Sequence, residues 1–136
     1  MKVLALDYGS ARTGVAVSDP SGTIARPLCV IERAATEAGL ARVAALVRSH
    51  DAERVIVGLP LTLQGERGAQ AQETEAFVEA LREAVDVPVE SYDERFTTVL
   101  ARTRPRDRPS DTSEPDDARA AAHLLSSYLE WSSTRR

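Results

Sequence analysis

A carboxylate closes a continuous apolar run at the start of the chain: in MKVLALDYGSARTGVAVSD, Val3 to Leu6 lead straight into Asp7. Burying a carboxylate without a partner costs several kcal/mol, so a cation or water has to meet it. Further acidic positions follow: Asp93 and Glu94 end the segment VPVESYDE, and Asp117 lies in EPDDARAAAHLL. Two or three carboxylates converging at one edge suit a hard divalent cation such as Mg²⁺ or Mn²⁺, which takes oxygen ligands. A pair of such ions roughly 3.5–4 Å apart activates an attacking water and stabilises the leaving oxygen of a phosphodiester. Without the cations, repulsion between the carboxylates would protonate one of them. Each residue also has a plainer use. Asp7 could be a turn aspartate bonding its own backbone, and Asp93 and Glu94 could pair with Arg95 on the surface. Asp117 near a helix start is favoured by the macrodipole alone.

The elements around these residues suggest how they would be placed. Val3 to Leu6 reads as a strand covered on both faces. RTGVAVSD follows a tight glycine-containing link, and Asp19-Pro20-Ser21-Gly22 signals a turn. TIARPLCVIE reads as a third extended segment, so residues 1–32 predict a three-stranded antiparallel meander. Pro27 directs part of that third segment to a sheet edge or a bulge. From Thr36, which can cap a helix, Leu40, Val43, Ala44 and Val47 recur at helical spacing. ERVIVGLP carries a buried strand, Val55-Ile56-Val57, cut by Gly58 and Pro60. Residues 66–85 predict a helix with Phe77, Val78, Leu81 and Val85 on one side. VPVESYDE reads as a strand with Val87, Val89 and Ser91 on one face with Asp93. A short helix is expected from Thr97 to Thr103, failing at Pro105, and residues 104–116, with three prolines, read as a loop.

The last predicted helix, 114–131, has Ala121, Leu124, Leu125, Tyr128 and Leu129 on its inner face. Ser113 and Asp116 resemble a capping box, and Pro115 suits a first turn. Ala120, Ala121, Leu124 and Tyr128 lie three, four, seven and eleven positions after Asp117, which puts Asp117 at the end of the buried stripe. Asp116 falls off that stripe and is better placed to bond first-turn N–H groups. Helical crossovers between successive strands imply parallel pairing. The expected architecture is therefore α/β, a mixed five-stranded sheet with three antiparallel and then two parallel strands, flanked by helices, in a single domain over 1–136. Ligands of open α/β sheets bind outside the carboxyl ends of the strands. There Asp7-Tyr8-Gly9, Gly58-Leu59-Pro60 and Asp93-Glu94-Arg95 would gather, with Asp117 added from the last helix.

Composition narrows the function classes. No apolar stretch approaches the roughly 18 residues that cross a bilayer, and the opening lacks a secretory-signal pattern. Cys29 is the one cysteine, which rules out an internal disulfide and fits a reducing cytoplasm. Its simplest use is as a small buried hydrophobe. A net charge of −4 argues against a generally basic nucleic-acid surface. Of the 17 basic residues only Lys2 is lysine, and guanidinium groups suit bidentate phosphate contacts. His50 and His123 have no metal-ligand partner nearby in sequence. There is no Cys/His zinc pattern, Walker loop or nucleophile elbow.

DYGSARTGVAVSD, with its Asp-x-Gly and Arg-x-Gly-Val-Ala, resembles the opening motif of the YqgF (RuvX-type) family. GLPLTLQGERGAQAQ is similar to that family's second motif, VPVESYDERFTT to its third, and DARAAAHLLSSYLE to its closing Asp-x-x-Ala-Ala helix. The four cover most of the chain in the family's order. The resemblance implies an RNase H-like fold and a nuclease acting on branched DNA of the Holliday-junction type or on the precursor of small-subunit ribosomal RNA. It implies Asp7, Glu94 and Asp117 as catalytic, metal-binding carboxylates for Mg²⁺ or Mn²⁺, in a two-metal site without a covalent enzyme intermediate, with Asp93 as a neighbour. Arg12 and Arg95 match motif arginines that would meet phosphate. The family's basic stretch before the last helix is here shifted and shortened to Arg102, Arg104, Arg106 and Arg108, of which Arg104, Arg106 and Arg108 are expected to contact nucleic acid. The expected protein is cytoplasmic, monomeric or a homodimer, with nucleic acid as its partner and no membrane. A non-catalytic ribosome-assembly factor and an actin-like ATP-binding protein, suggested by Asp-x-Gly, are the competing readings.

Overall fold

The computed structural model describes residues 1–9, 11–59, 69–93 and 116–134. Its strands are β1 (Val3–Asp7), β2 (Arg12–Ser18), β3 (Ala25–Glu32), β4 (Arg54–Leu59) and β5 (Val89–Asp93). The helices are α1 (Glu37–Ser49), α2 (Ala69–Ala84) and α3 (Asp116–Thr134). The strands form one sheet in the order β3-β2-β1-β4-β5. β1–β2 and β2–β3 pair antiparallel, whereas β1–β4 and β4–β5 pair parallel. This is the expected mixed α/β sheet: tight turns join the antiparallel strands, and the parallel pairs are bridged through helices.

Alternation along the central strands sends side chains to two separate cores. Leu4, Leu6, Val15, Val17, Val55 and Val57 pack with Val43 and Val47 of α1 and with Phe77 and Leu81 of α2. Val3, Ala5, Ala16 and Ile56 face the other way and pack with Ala121, Leu124, Leu125 and Tyr128 of α3. A sheet covered on both faces explains why β1 and β4 read as unbroken apolar runs.

Local chemistry sets the element ends. The Thr36 hydroxyl accepts from the Gly39 N–H at 3.1 Å and starts α1. Asp19, the second aspartate of the opening segment, accepts from the N–H groups of Thr23 at 2.8 Å and Ile24 at 2.9 Å. Those bonds, with that of Ile24 foremost and the Ser21 hydroxyl adding to them, hold its carboxyl below the usual carboxylate range. β3 is an edge strand, and its register against β2 shifts between Val15 and Ala16, which pair with Cys29 and Pro27. Leu28 is therefore the extra residue of a bulge, so Pro27 meets both of its expected settings.

Two expectations are corrected. β5 begins at Val89, two residues late, because Pro88 has no N–H for the ladder and supplies only its carbonyl, to Val55. Ser91 keeps the expected face with Val89, pairing with Val57 as Val89 does with Val55, and lies beside Val78 and Arg82 of α2, where it is open to solvent. Ala120 is exposed too, and the stripe of α3 runs through Ala118, Ala121, Leu124, Leu125 and Tyr128. Asp117 stands at the margin of that stripe, so the position three residues on rotates out to solvent. The expected start of the second helix at 66–68, the Thr97–Thr103 helix, the loop before α3 and the Ser113 cap lie outside the described residues.

Candidate functional site

The parallel register brings the carboxyl ends of β1, β4 and β5 to one edge. Leu6 lies beside Val57, and Leu59 beside Asp93. Asp7, the last residue of β1, pairs with Gly14 on β2. Val3 and Ala5 belong to the core under α3, so Asp7 takes the next position on that face, and Gly14, directly across the ladder, shares it.

Gly14 then fixes the third element. A Cβ added there would lie 1.8 Å from the carbonyl oxygen of Asp117 and 2.9 Å from the backbone nitrogen of Ala118. The first turn of α3 rests on bare β2 backbone, an approach only glycine permits. Asp117 is thereby held over the Asp7–Gly14 pair. Its carboxylate forms an ion pair with Arg12, Nε to Oδ2 at 3.1 Å, with 63% of the arginine side chain and 35% of the aspartate side chain exposed. Arg12 precedes Gly14 by two residues on β2, so alternation puts it on the same face. Asp7 is half-buried.

Gly9, just after β1, is closely packed against β2. A Cβ on Gly9 would come 2.5 Å from the Arg12 carbonyl oxygen. The fully buried Thr13 hydroxyl lies 3.4 Å from both the N–H and the carbonyl of Gly9. Tyr8 points into the other core, stacks on Phe77 at 4.5 Å and donates its hydroxyl to Glu73 Oε2 at 2.7 Å. Burial first, and then the Glu73 carboxylate, push the Tyr8 pKa up to about 12. The strand end that presents Asp7 is thus tied to α2. Nothing in the sequence links Tyr8 with Glu73, 65 residues apart; an aromatic residue after an apolar run is the only hint.

Of the sequence-predicted site residues, Arg12 and Asp117 form an ion pair, and Asp7 pairs in register with Gly14, against which the Asp117 backbone packs. Asp93 ends β5 at the same edge. Glu94, Arg95, Arg104, Arg106 and Arg108 lie outside the described residues. Among the described residues no group of three His, Cys, Asp or Glu side chains is placed to hold a metal. Arg12 also borders a groove of about 460 Å³ lined by Glu32, Thr36, Gly39 and Arg42, where β3 meets the start of α1. His50 caps the C-terminus of α1, and His123 lies within α3. Cys29 is half-buried, its thiol pKa raised by burial against the opposing effect of Arg42. Among the described residues no helix is long and apolar enough to cross a membrane.

Comparison with known proteins agrees with this architecture. A family model described as RuvX, Holliday junction resolvase, matches residues 1–131. A Chloroflexus aurantiacus protein named "Putative pre-16S rRNA nuclease" is 41% identical over 131 residues, covering 94% of this chain and 86% of that protein. An Anaeromyxobacter protein of the same name is 41% identical, covering 96% of this chain and 97% of its own length. Among solved structures, T. thermophilus RuvC in complex with a Holliday junction substrate superposes with a TM-score of 0.59 at 19% identity, covering 98% and 96% of the two chains. The fowlpox virus Holliday junction resolvase gives 0.55 at 13% identity, covering 96% and 99%. At these identities the structural likeness speaks to the fold.

Proposed function

The chain belongs to the RuvX family, and we propose that it is a cytoplasmic, divalent-metal-dependent nuclease that hydrolyses phosphodiester bonds in the small-subunit ribosomal RNA precursor. The observation that carries this reading is the contact of Gly14 with the Asp117 backbone. It supports a reading in which two acidic positions, Asp7 at the end of β1 and Asp117 in the first turn of α3, share one corner of the sheet.

The donor chemistry fits a hard cation: Asp7 and Asp117 offer carboxylate oxygens, the ligands Mg²⁺ and Mn²⁺ take. Glu94, one residue past β5, completes a set of three in this proposal. A bound divalent ion supplies positive charge that activates the attacking water and stabilises the departing oxygen. Asp7 and Asp117 hold their positions through the β1–β2 ladder and the α3 contact, and Tyr8 and Thr13 keep the intervening turn from shifting. Arg12, Arg95, Arg104, Arg106 and Arg108 meet backbone phosphates.

RNA is favoured over junction DNA because the relatives at 41% identity bear a ribosomal-RNA nuclease name, whereas the junction resolvases share only the fold. A monomer suffices for trimming RNA; symmetric junction cleavage requires a dimer. The test is cleavage by pure protein, in Mg²⁺, Mn²⁺ or chelator, of a small-subunit rRNA precursor beside matched four-way DNA junctions. Metal-dependent cutting with preference for the RNA is expected. Preference for the junctions would reassign the substrate, and no cutting of either would leave a non-catalytic binding role.

A further inference from the structure

Arg12 stands between two settings. On one side its Nε binds Asp117 Oδ2 at 3.1 Å. On the other its side chain borders the groove that Arg42 and Thr36 also line, and it faces Glu32 across the β2–β3 ladder. An oxygen engaged by a guanidinium cannot pass to a hard cation without loosening that pair, and the cation repels the guanidinium in turn. Most of the Arg12 side chain is open to solvent, so it can swing without disturbing either core.

We propose that Arg12 is an exchangeable counter-ion of Asp117: it competes with the divalent cation for that carboxylate and, once displaced, turns to a backbone phosphate of the substrate in the groove shared with Arg42. The proposal rests on the reading of Asp7 and Asp117 as metal ligands and adds a regulation to it. Binding of cation and nucleic acid becomes cooperative, each raising the affinity for the other by the same factor. The guanidinium, with its fork of donors, suits both carboxylate and phosphate. Arg12 is therefore a positioning residue for Asp117 before it is a phosphate contact.

The test measures Mg²⁺ binding by calorimetry without nucleic acid for the wild type, Arg12→Gln and Asp117→Asn. In parallel, fluorescence anisotropy follows a labelled RNA hairpin with and without Ca²⁺, another cation that takes oxygen ligands. For so exposed a pair, Arg12→Gln should bind Mg²⁺ about two- to five-fold more tightly than wild type. It should also lose the Ca²⁺-induced gain in RNA affinity that the wild type shows. Unchanged or weaker Mg²⁺ binding by Arg12→Gln, with Asp117→Asn clearly weakened, would overturn the exchange and leave the metal site standing. Wild-type Mg²⁺ binding by Asp117→Asn would remove the site reading and the exchange together.

Discussion

At Gly14 a single hydrogen in place of a side chain decides where Asp117 stands. Alanine there would drive its Cβ to 1.8 Å from a backbone oxygen, which no side-chain adjustment relieves. Gly14→Ala should therefore destabilise the fold by about 1–3 kcal/mol or more, as overpacking does, and abolish cleavage by lifting α3 off β2. Denaturant titration alongside a cleavage assay checks both. Tyr8 offers a separate test through pH. Its pKa in the folded protein, about 12, lies above the ordinary tyrosine value of 10.0, so the neutral hydroxyl is the stabilised form. That contribution is complete below pH 10.0 and is lost as pH rises through about 12, because the unfolded chain releases the proton first. Tyr8→Phe should flatten the alkaline fall in melting temperature over that window. Asp7 is legible in the sequence because an apolar run leads straight into a charge. The Arg12–Asp117 and Tyr8–Glu73 pairs are not, since their partners are distant in sequence and carry no local pattern.

Among the elements, α3 carries two adjacent aspartates for which we propose separate duties. Asp116 is the first residue of the helix, and Asp117 meets Arg12. Neighbouring residues on a helix point about 100° apart, so the two cannot serve one cleft. Asp117→Asn should lose cleavage with near-normal thermal stability. Asp116→Ala should keep most activity and cost about 1 kcal/mol of stability by removing first-turn bonding. Melting curves with single-turnover cleavage of both variants distinguish these outcomes; cleavage that depends on Asp116 instead would move the metal ligand by one residue. The meander and the parallel crossovers are readable because apolar runs, turn residues and helical spacing coincide there. The inner face of α3 is less so: Ala120 fits an apolar pattern by type, but alanine is small enough to sit in water, so its identity does not report its side of the helix. The role of Gly14 is hidden for a related reason, since a glycine within a strand marks close approach without saying what approaches.

Across the whole molecule, the net charge of −4 leaves little general attraction for nucleic acid, so the proposed binding would rest on individual arginines rather than on a generally basic surface. Replacing Arg104, Arg106 and Arg108 together by alanine should weaken binding broadly, without changing sequence preference. Removing one arginine–phosphate interaction should reduce the salt slope by roughly 0.7 to 0.9, and an unchanged slope in the triple variant would exclude this segment from the interface. In the proposed function, the two cores, the switch from antiparallel to parallel pairing and the bare backbone of Gly14 would serve to bring Asp7 and Asp117 to one corner of the sheet. The decisive measurement is single-turnover cleavage of small-subunit rRNA precursor in Mg²⁺ by the wild type and by Asp7→Asn, with melting curves of both. Cleavage should occur only in the wild type and only with metal, while Asp7→Asn melts at or above the wild-type temperature because carboxylate crowding is relieved. Substantial cleavage by a well-folded Asp7→Asn, or equal cleavage by the wild type in chelator, would contradict a metal-dependent site built on Asp7.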